Sequence, residues 1–252
     1  IKNYLKKFNF DIIINLAAQA GVRYSYINPG KYIDTNIRGY LNLILYSKKQ
    51  KLKKIIYASS SSVYGDSINF PLKENEKLSP KNIYGSSKML NEKISETYSK
   101  IYNIPFIGLR FFTVFGEWGR PDMFLFKLFK SYFNKDTFYL NNFGNHERDF
   151  TYIDDVTNML VKLTLKKNKG HKVFNISSNN PINIKNIINN FTKDRNIKLK
   201  KIEKNKADML KTHGDNKKIL NYLNIKLNKN FEKNFLDTFN WYSKNYKNKN
   251  IN

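Results

Sequence analysis

Residues 54–65 read KIIYASSSSVYG, and the pattern in this segment is the main basis for the fold that we predict for the whole chain. Residues 54–58 form a largely apolar run, typical of a strand buried on both faces of a parallel sheet. The run passes directly into four serines, residues 59–62. Small hydroxyl side chains at the carboxyl end of such a strand can hydrogen-bond a ligand hydroxyl without filling a pocket. Alone, the same serines would also suit a turn.

Strands and helices alternate on both sides of this stretch. Upstream, residues 11–16 (DIIINL) predict a buried strand, and residues 32–49 carry apolar side chains at helical spacing. Downstream, residues 83–102 predict a helix, and residues 105–112 (PFIGLRFF) predict a third strand. Alternation of this kind is typical of βαβ units, whose right-handed crossovers bring the strand ends to one edge. We therefore predict an α/β fold with a doubly wound, Rossmann-type parallel sheet that binds ligands at that edge.

The pattern becomes less regular from about residue 120. Helices are expected at 123–133, after Ile153 and at 232–244, and short strands near Val173 and at 198–202. These elements predict a smaller, mixed α/β lobe. We predict one domain over residues 1–119 and a second lobe over residues 120–252, with some segments of the second returning to the sheet.

The formal net charge is +25, which raises the question of a nucleic-acid partner. Nucleic-acid readers favour arginine and concentrate their charge, whereas here only six of the 45 basic residues are arginines and the lysines are scattered along the chain. A lysine-rich surface composition therefore explains the charge better, and we expect no nucleic-acid partner. The absence of cysteine excludes disulfides and thiolate metal sites. No apolar run is long enough to span a bilayer and no signal peptide is recognisable, so we expect no membrane partner and a cytoplasmic location.

Tyr84 and Lys88 form a YxxxK pair about 25 residues after the serines. On a helix these positions share one face. A nearby ammonium group favours the phenolate form of a tyrosine, so that the phenol can act as a base near neutral pH. A lone YxxxK occurs often by chance, as a surface tyrosine beside a helical lysine. The preceding strand with its serines and the following strand, which ends in RFFT at residues 110–113, make the combination specific.

With these motifs in order, the chain resembles the NAD-dependent epimerase/dehydratase family, the extended short-chain dehydrogenases, and within it the UDP-glucuronate 4-epimerases. The resemblance covers essentially the whole chain. The motifs that carry it are LAAQAGVRYS at 16–25, DTNIRG at 34–39, SSSSVYG at 59–65, YGSSK at 84–88, LRFFTVFG at 109–116, WGRPDM at 118–123 and RDFTYIDD at 148–155.

The resemblance implies catalytic and cofactor roles. Tyr84 would take the proton from the sugar C4 hydroxyl while C4 gives hydride to NAD, and Ser60 would hydrogen-bond the same hydroxyl. Lys88 would hold the nicotinamide ribose and lower the pKa of Tyr84. Leu16, Ala17 and Ala18 would line the cofactor. Asn36 would support the strand ends, although it could equally be an ordinary polar helix residue.

The resemblance also implies a UDP-sugar substrate. Arg148 matches an arginine that grips UDP, and its guanidinium fork suits a diphosphate. Asp208 matches an acidic residue that contacts the uridine ribose, but Lys211 stands where arginine is usual. The candidates for the carboxylate of a uronic acid are Ser61, Ser62, Thr113 and Arg120, of which Arg120 could also serve a structural turn. The histidines at 146, 171 and 213 are isolated, so we predict no metal site.

Ser61 and Ser62 discriminate between reactions. Related dehydratases carry an Asp-Glu pair at this point and related decarboxylases a glutamate, so serines favour oxidation followed by re-reduction. The leading hypothesis is therefore a 4-epimerase that interconverts UDP-glucuronate and UDP-galacturonate. The alternatives are a UDP-glucose 4-epimerase or another UDP-sugar epimerase or dehydratase, an inactive nucleotide-sugar binder, and a basic nucleic-acid binder.

The family pattern is incomplete at the start of the chain. Residues 11–16 match the family's fourth strand, whereas the glycine-rich phosphate-binding turn and its first strands have no counterpart in the sequence. We expect the chain to be a fragment of a longer product, the alternative being a short and inactive relative, and we expect weak NAD binding by this chain alone. The resemblance also implies a homodimer that pairs the helix of Tyr84, with Ile94, Tyr98 and Ile101 as candidate contacts or as internal packing.

Overall fold

The computed structural model describes residues 8–48, 50–204 and 208–246. The chain folds into two compact units. The first, called the sheet unit, holds the residues up to Phe111 together with Leu160–Ile176 and Asp215–Asn224. The second, called the lobe, holds Phe112–Met159, Ser177–Gly214 and the residues from Ile225 onward.

The sheet unit is built on four parallel strands. In spatial order they are β1 (Ile12–Asn15), β2 (Lys54–Ser60), β3 (Phe106–Phe111) and β7 (His171–Ile176). All neighbours pair in parallel, and β2 and β3 are almost wholly buried, as their continuous apolar sequences predict. The α/β prediction with a parallel, Rossmann-type sheet is confirmed.

Helices connect these strands. They are α1 (Val22–Ile27), α2 (Pro29–Tyr32), a π-helix (Ile33–Gly39), α3 (Tyr40–Ser47), a 3₁₀ turn (Ser61–Val63) and α4 (Ile83–Tyr102). The predicted helix at 32–49 is therefore a series of three helical segments, and its predicted last residue lies outside the described ranges. Tyr40, Ile44, Ile55, Tyr57 and Phe106 form the core between these helices and the sheet.

The lobe contains short strands and helices. They are β4 (Thr113–Phe115), α5 (Phe124–Asn134), β5 (Phe138–Asn141), β6 (Glu147–Tyr152), β8 (Pro181–Asn183), α7 (Ile184–Thr192), β9 (Leu199–Ile202) and α9 (Phe231–Tyr246). β6 pairs in parallel with β4 and antiparallel with β8, and β5 pairs in parallel with β9, so the predicted mixed lobe is confirmed. Its core is rich in aromatic side chains, and Phe129 lies at its centre.

Two further helices contribute residues to the sheet unit. α6 (Ile153–Leu165) begins in the lobe and ends in the sheet unit, and α8 (Lys217–Leu223) belongs to the sheet unit. Among the helices of the described ranges, none is both long and apolar enough to cross a membrane.

Candidate active site

The first turn of α4 is held close to the serines that follow β2. Asn82 caps the helix, because its Oδ1 accepts a hydrogen bond from the Gly85 amide over 2.8 Å. Glycine is required at position 85, since a Cβ there would lie 2.6 Å from the Ser62 carbonyl oxygen and 3.0 Å from the Pro80 Cβ. This close approach brings the helix that carries Tyr84 against the end of the serine run.

Tyr84 and Lys88 share one face of α4. The Lys88 ammonium lies 5.9 Å from the centre of the Tyr84 ring, and the edge of the neighbouring Tyr32 ring packs at 6.2 Å between centroids. Lys88 is buried, and its Nζ donates to the Ala58 carbonyl oxygen on β2 over 2.9 Å. Burial lowers the pKa of Lys88 to about 8. The arrangement holds a cation beside a half-buried phenol.

The serine run continues β2 into the 3₁₀ turn. Ser60 is the last residue of β2 and is buried, and its Oγ accepts from the Ser62 amide over 3.2 Å. Ser61 and Ser62 lie in the 3₁₀ turn and are buried too. The structure thus brings Ser60, Ser61 and Ser62 together at the end of β2, next to the first turn of α4.

The predicted cofactor segment follows β1. Leu16 and Ala17 are exposed, and Ala18 is half-buried. Asn36, in the π-helix, is buried and bonds to this segment: its Oδ1 accepts from the Gln19 amide, and its Nδ2 donates to the Gln19 carbonyl and to Ser87 Oγ. Asn36 therefore connects the segment after β1 to the helix that carries Tyr84 and Lys88.

Sequence reasoning missed Glu92, one turn beyond Lys88 on α4. Glu92 is buried and forms a two-pronged ion pair with Arg110 of β3, and Ser59 Oγ donates to the same carboxylate. The signal was present in the sequence, because Glu92 continues the helical stripe of Tyr84 and Lys88 toward the sheet. An acidic residue on a stripe that faces the core needs a buried partner.

In the lobe, the structure brings Arg148 close to the segment that contains Asp208. The Arg148 guanidinium donates to the carbonyl oxygens of Met209, at 2.7 Å, and Leu210, at 3.2 Å. Burial lowers the pKa of Arg148, and the negative charge of Asp208 partly offsets this effect. The two residues predicted to hold UDP are therefore electrostatic neighbours.

Asp149, next to Arg148 on β6, was not predicted as a site residue. Its side chain is fully buried and accepts four hydrogen bonds, from the amide and hydroxyl of Ser178 and from the amides of Asn179 and Gly214. Burial raises its pKa despite these bonds. The carboxylate fixes β6 to two loops of the lobe, one of which follows Asp208.

Thr113 and Arg120 line one small cleft of the lobe, together with Gly116, Gly119 and Tyr242. The Arg120 Nε donates to Asp122 Oδ1 over 2.9 Å, and both side chains are about half exposed. An incoming carboxylate at Arg120 would therefore compete with Asp122.

His171 lies in the sheet unit, whereas His146 and His213 lie in the lobe. His171 Nε2 contacts the Tyr57 hydroxyl in the sheet unit, and His213 Nε2 contacts Asn179 in the lobe. Within the described part of the chain, no group of three or more His, Cys, Asp or Glu side chains could hold a metal ion.

Comparison with known proteins identifies the family to which the chain belongs. The NAD dependent epimerase/dehydratase family matches residues 1–177, and the chain belongs to this family. The protein MJ1055 of Methanocaldococcus jannaschii is 38% identical over 96% of this chain and 74% of its own length.

Several relatives have names that state an activity. UDP-glucuronate 4-epimerase 4 of Arabidopsis thaliana is 37% identical over 80% of this chain, which spans about half the length of that enzyme. The solved structure of UDP-glucuronic acid 4-epimerase from Bacillus cereus, in complex with UDP-glucuronic acid and NAD, is 28% identical. It superposes with a TM-score of 0.90 over 97% of this chain and 78% of its own. The predicted family is thus confirmed.

Proposed function

We propose that this chain carries the catalytic and substrate-binding residues of a UDP-sugar 4-epimerase that interconverts UDP-glucuronate and UDP-galacturonate. The observation that carries the proposal is the cluster of Tyr84, Lys88 and Ser60 at the meeting point of α4 and β2, where Lys88 lies 2.9 Å from the Ala58 carbonyl. The activities named for the Arabidopsis and Bacillus cereus relatives support it.

NAD is the cofactor we propose, and the residues present fit its nicotinamide ribose. Lys88 offers a buried ammonium and Tyr84 a phenol, beside the largely exposed segment of Leu16 and Ala17 that Asn36 holds in place. An ammonium with three donors suits the ribose hydroxyls. Bound NAD supplies reversible hydride transfer at the sugar C4.

The proposed proton chemistry lies with Tyr84. Its phenolate accepts the proton of the C4 hydroxyl as that carbon is oxidised, and it returns the proton when the ketone is reduced from the other face. Ser60 hydrogen-bonds the same oxygen from the end of β2. The positive charge of Lys88 favours the phenolate by direct electrostatic attraction.

The serines at 61 and 62 support epimerisation over elimination. A further acid or base near the sugar assists loss of water from a 4-keto sugar, and it protonates the enolate that loss of carbon dioxide leaves behind. Ser61 and Ser62 occupy the buried turn directly after Ser60 and offer hydroxyl groups only. With no carboxylate at these two positions, return of hydride and proton is the reaction we propose.

For the nucleotide we propose Arg148 and Asp208. The Arg148 fork suits the diphosphate, and a carboxylate at Asp208 suits the ribose hydroxyls. For the uronate carboxylate we propose two separate sets of candidates: Thr113 and Arg120, which line one cleft of the lobe, and the hydroxyls of Ser61 and Ser62 in the sheet unit.

The proposal includes a homodimer in the cytoplasm. Of the three candidate contacts on α4, Ile94 and Tyr98 pack against the core of the sheet unit, whereas Ile101 is 63% exposed. The same helix also exposes Leu90. Ile101 and Leu90 are therefore the most exposed of these apolar side chains on α4, whereas Ile94 and Tyr98 are partly buried.

The test is turnover by the full-length protein supplied with NAD. UDP-glucuronate and UDP-glucose are incubated separately, and the C4 epimers are resolved by NMR. Formation of UDP-galacturonate, lost in Tyr84→Phe while UDP binding is kept, is the expected result. Conversion of UDP-glucose but not of UDP-glucuronate would identify the protein as a UDP-glucose 4-epimerase instead. Full turnover by Tyr84→Phe would refute the mechanism.

A further inference from the structure

The ion pair between Glu92 and Arg110 is enclosed within the sheet unit. Arg110 Nε lies 2.9 Å from Glu92 Oε1, and Arg110 Nη2 lies 2.7 Å from Oε2. Only 4% of the Arg110 side chain and 6% of the Glu92 side chain are exposed. Glu92 lies on α4, one turn after Lys88 and two turns after Tyr84. Arg110 lies on the central strand β3.

This pair is bonded to the strand that ends at Ser60. Ser59 Oγ donates to Glu92 Oε1 over 2.5 Å, and Ser59 is the register partner of Arg110 between β2 and β3. The residue before it, Ala58, accepts the hydrogen bond from Lys88. Two consecutive residues of β2 therefore hold two consecutive turns of α4.

The same contacts continue across the sheet. Arg110 Nη1 donates to the Tyr64 hydroxyl over 2.9 Å, and Tyr64 in turn donates to Asn175 Oδ1 over 2.6 Å. Asn175 is the register partner of Arg110 on β7. Ser59, Arg110 and Asn175 thus form a polar row across three strands, one residue before Ser60, and Glu92 is the group of α4 that meets this row.

Stability alone does not account for such a pair. Removing two charges from water is costly, and replacing a buried pair by apolar residues is often neutral or stabilising. An apolar contact would let α4 slide or rotate on the sheet, whereas a two-pronged ion pair accepts one geometry. The catalytic proton transfer needs that precision, because a misplacement of about 1 Å can cost on the order of 100-fold in rate.

We propose that Glu92 is a positioning residue, which fixes the rotation and register of α4 on β2 and so sets the geometry of Tyr84 and Lys88 relative to Ser60. The inference rests on the proposed function for its catalytic consequence. The effect of Glu92 on the placement of the Tyr84 phenol beside Lys88 does not depend on the proposed function, and it can be measured without turnover.

The experiment compares three variants of the full-length protein: Glu92→Gln, the double variant Glu92→Met with Arg110→Met, and Glu96→Gln. Glu96 is the matched control, because it lies on α4 in an exposed pair with Lys93. In Glu92→Gln, kcat should fall at least tenfold with KM for the UDP-sugar within about twofold, and the thermal midpoint should drop. In the double variant the thermal midpoint should recover while kcat stays reduced. Glu96→Gln should match the wild type.

A second measurement follows the ionisation of Tyr84 by ultraviolet difference titration against the same background carrying Tyr84→Phe. A displaced Lys88 should raise the pH midpoint of Tyr84 ionisation in both Glu92 variants and leave it unchanged in Glu96→Gln. The inference would be overturned if the double variant regained not only the thermal midpoint of the wild type but also its kcat and its pH midpoint of Tyr84 ionisation. If the wild type shows no 4-epimerase turnover, the proposed function fails, and the Tyr84 midpoint alone then decides the positioning role.

Discussion

The side chain of Asn36 forms two hydrogen bonds with the backbone of Gln19, one as acceptor and one as donor. The Asn36 Oδ1 accepts from the Gln19 amide over 2.8 Å, and its Nδ2 donates to the Gln19 carbonyl over 3.0 Å. The same Nδ2 lies 2.9 Å from Ser87 Oγ on α4. One buried amide thus holds the segment after β1 against the helix that carries Tyr84 and Lys88. The π-helix that contains Asn36 is a form found often at functional sites.

Replacing Asn36 by alanine should therefore destabilise the protein and weaken cofactor binding. Loss of the side chain leaves the buried polar groups of Gln19 and Ser87 without this partner, a cost of about 2–3 kcal/mol. Urea unfolding should show that decrease, and calorimetry on the full-length protein should show weaker NAD binding. Asn42→Ala, at an exposed position of α3, is the control and should change stability by less than about 0.5 kcal/mol. Equal stability of both variants would contradict the role of Asn36.

Gly85→Ala should lower kcat, because the added Cβ displaces the first turn of α4. The new Cβ would meet the Ser62 carbonyl oxygen at 2.6 Å, so the first turn of α4 must move away from the serine turn and carry Tyr84 with it. We expect kcat to fall by about 100-fold. Gly30→Ala is the control, since its nearest contact would be Asn28 Oδ1 at 3.9 Å. Steady-state kinetics of the two variants measure the difference, and wild-type kcat in Gly85→Ala would refute it.

Burial of Lys88 should make stability depend on pH in the alkaline range. Its folded pKa of about 8 lies below the ordinary value, so between about pH 8 and pH 10 the unfolded chain binds more protons than the native state. The contribution of Lys88 to the free energy of unfolding therefore rises with pH in that window and does not change with pH below it. Between pH 7 and pH 9.5 the wild type should gain roughly 1–2 kcal/mol relative to Lys88→Met. Denaturant unfolding at the two pH values tests this, and a parallel response of both proteins would argue against it.

Activity should change with pH in the opposite direction. Above about pH 8 Lys88 loses the charge that favours the Tyr84 phenolate and holds the ribose, so kcat/KM should decline as the pH rises through this value. The pH profile of the full-length enzyme gives the measurement. A kcat/KM that stays constant up to pH 10 would show that ionisation of Lys88 does not affect the reaction.

The strongest local patterns predicted their elements well. α4 was predicted at residues 83–102 and spans Ile83–Tyr102, because Asn82 caps its start and the left-handed Asn103 follows its end. The buried strands β2 and β3 were predicted within two residues from continuous apolar runs. In each case local sequence and tertiary burial favour the same structure.

Elements whose stability comes from tertiary contacts were missed. α7 has its buried Ile184, Ile187, Ile188 and Phe191 at helical spacing, but its asparagines favour turns, and packing overrides that preference. The π-helix was predicted as an ordinary helix because apolar spacing does not reveal a locally wider turn. The motifs predicted catalytic roles for Tyr84, Lys88 and Ser60, and these roles stay predictions.

Glu92 and Asp149 were missed for a related reason. Their roles depend on partners distant in sequence: Arg110 and Ser59 for Glu92, and the loops at 178–179 and 214 for Asp149. A charged residue is assigned to the surface by default, and although the stripe on α4 directs Glu92 toward the sheet, only the fold shows which partners enclose it.

Asp149→Asn should weaken both the lobe and its hold on UDP. All four contacts of the Asp149 carboxylate are acceptor bonds, two at each oxygen, so an amide nitrogen in place of either oxygen would face two donors. The expected loss of stability is about 2–4 kcal/mol. The loop ending at Gly214 follows Asp208, and Arg148 is the neighbouring residue, so UDP affinity should fall several-fold. Urea unfolding and UDP calorimetry measure the two effects, with the exposed Asp194→Asn as control. Wild-type UDP affinity in a destabilised Asp149→Asn variant would show that Asp149 supports the lobe without shaping the nucleotide site.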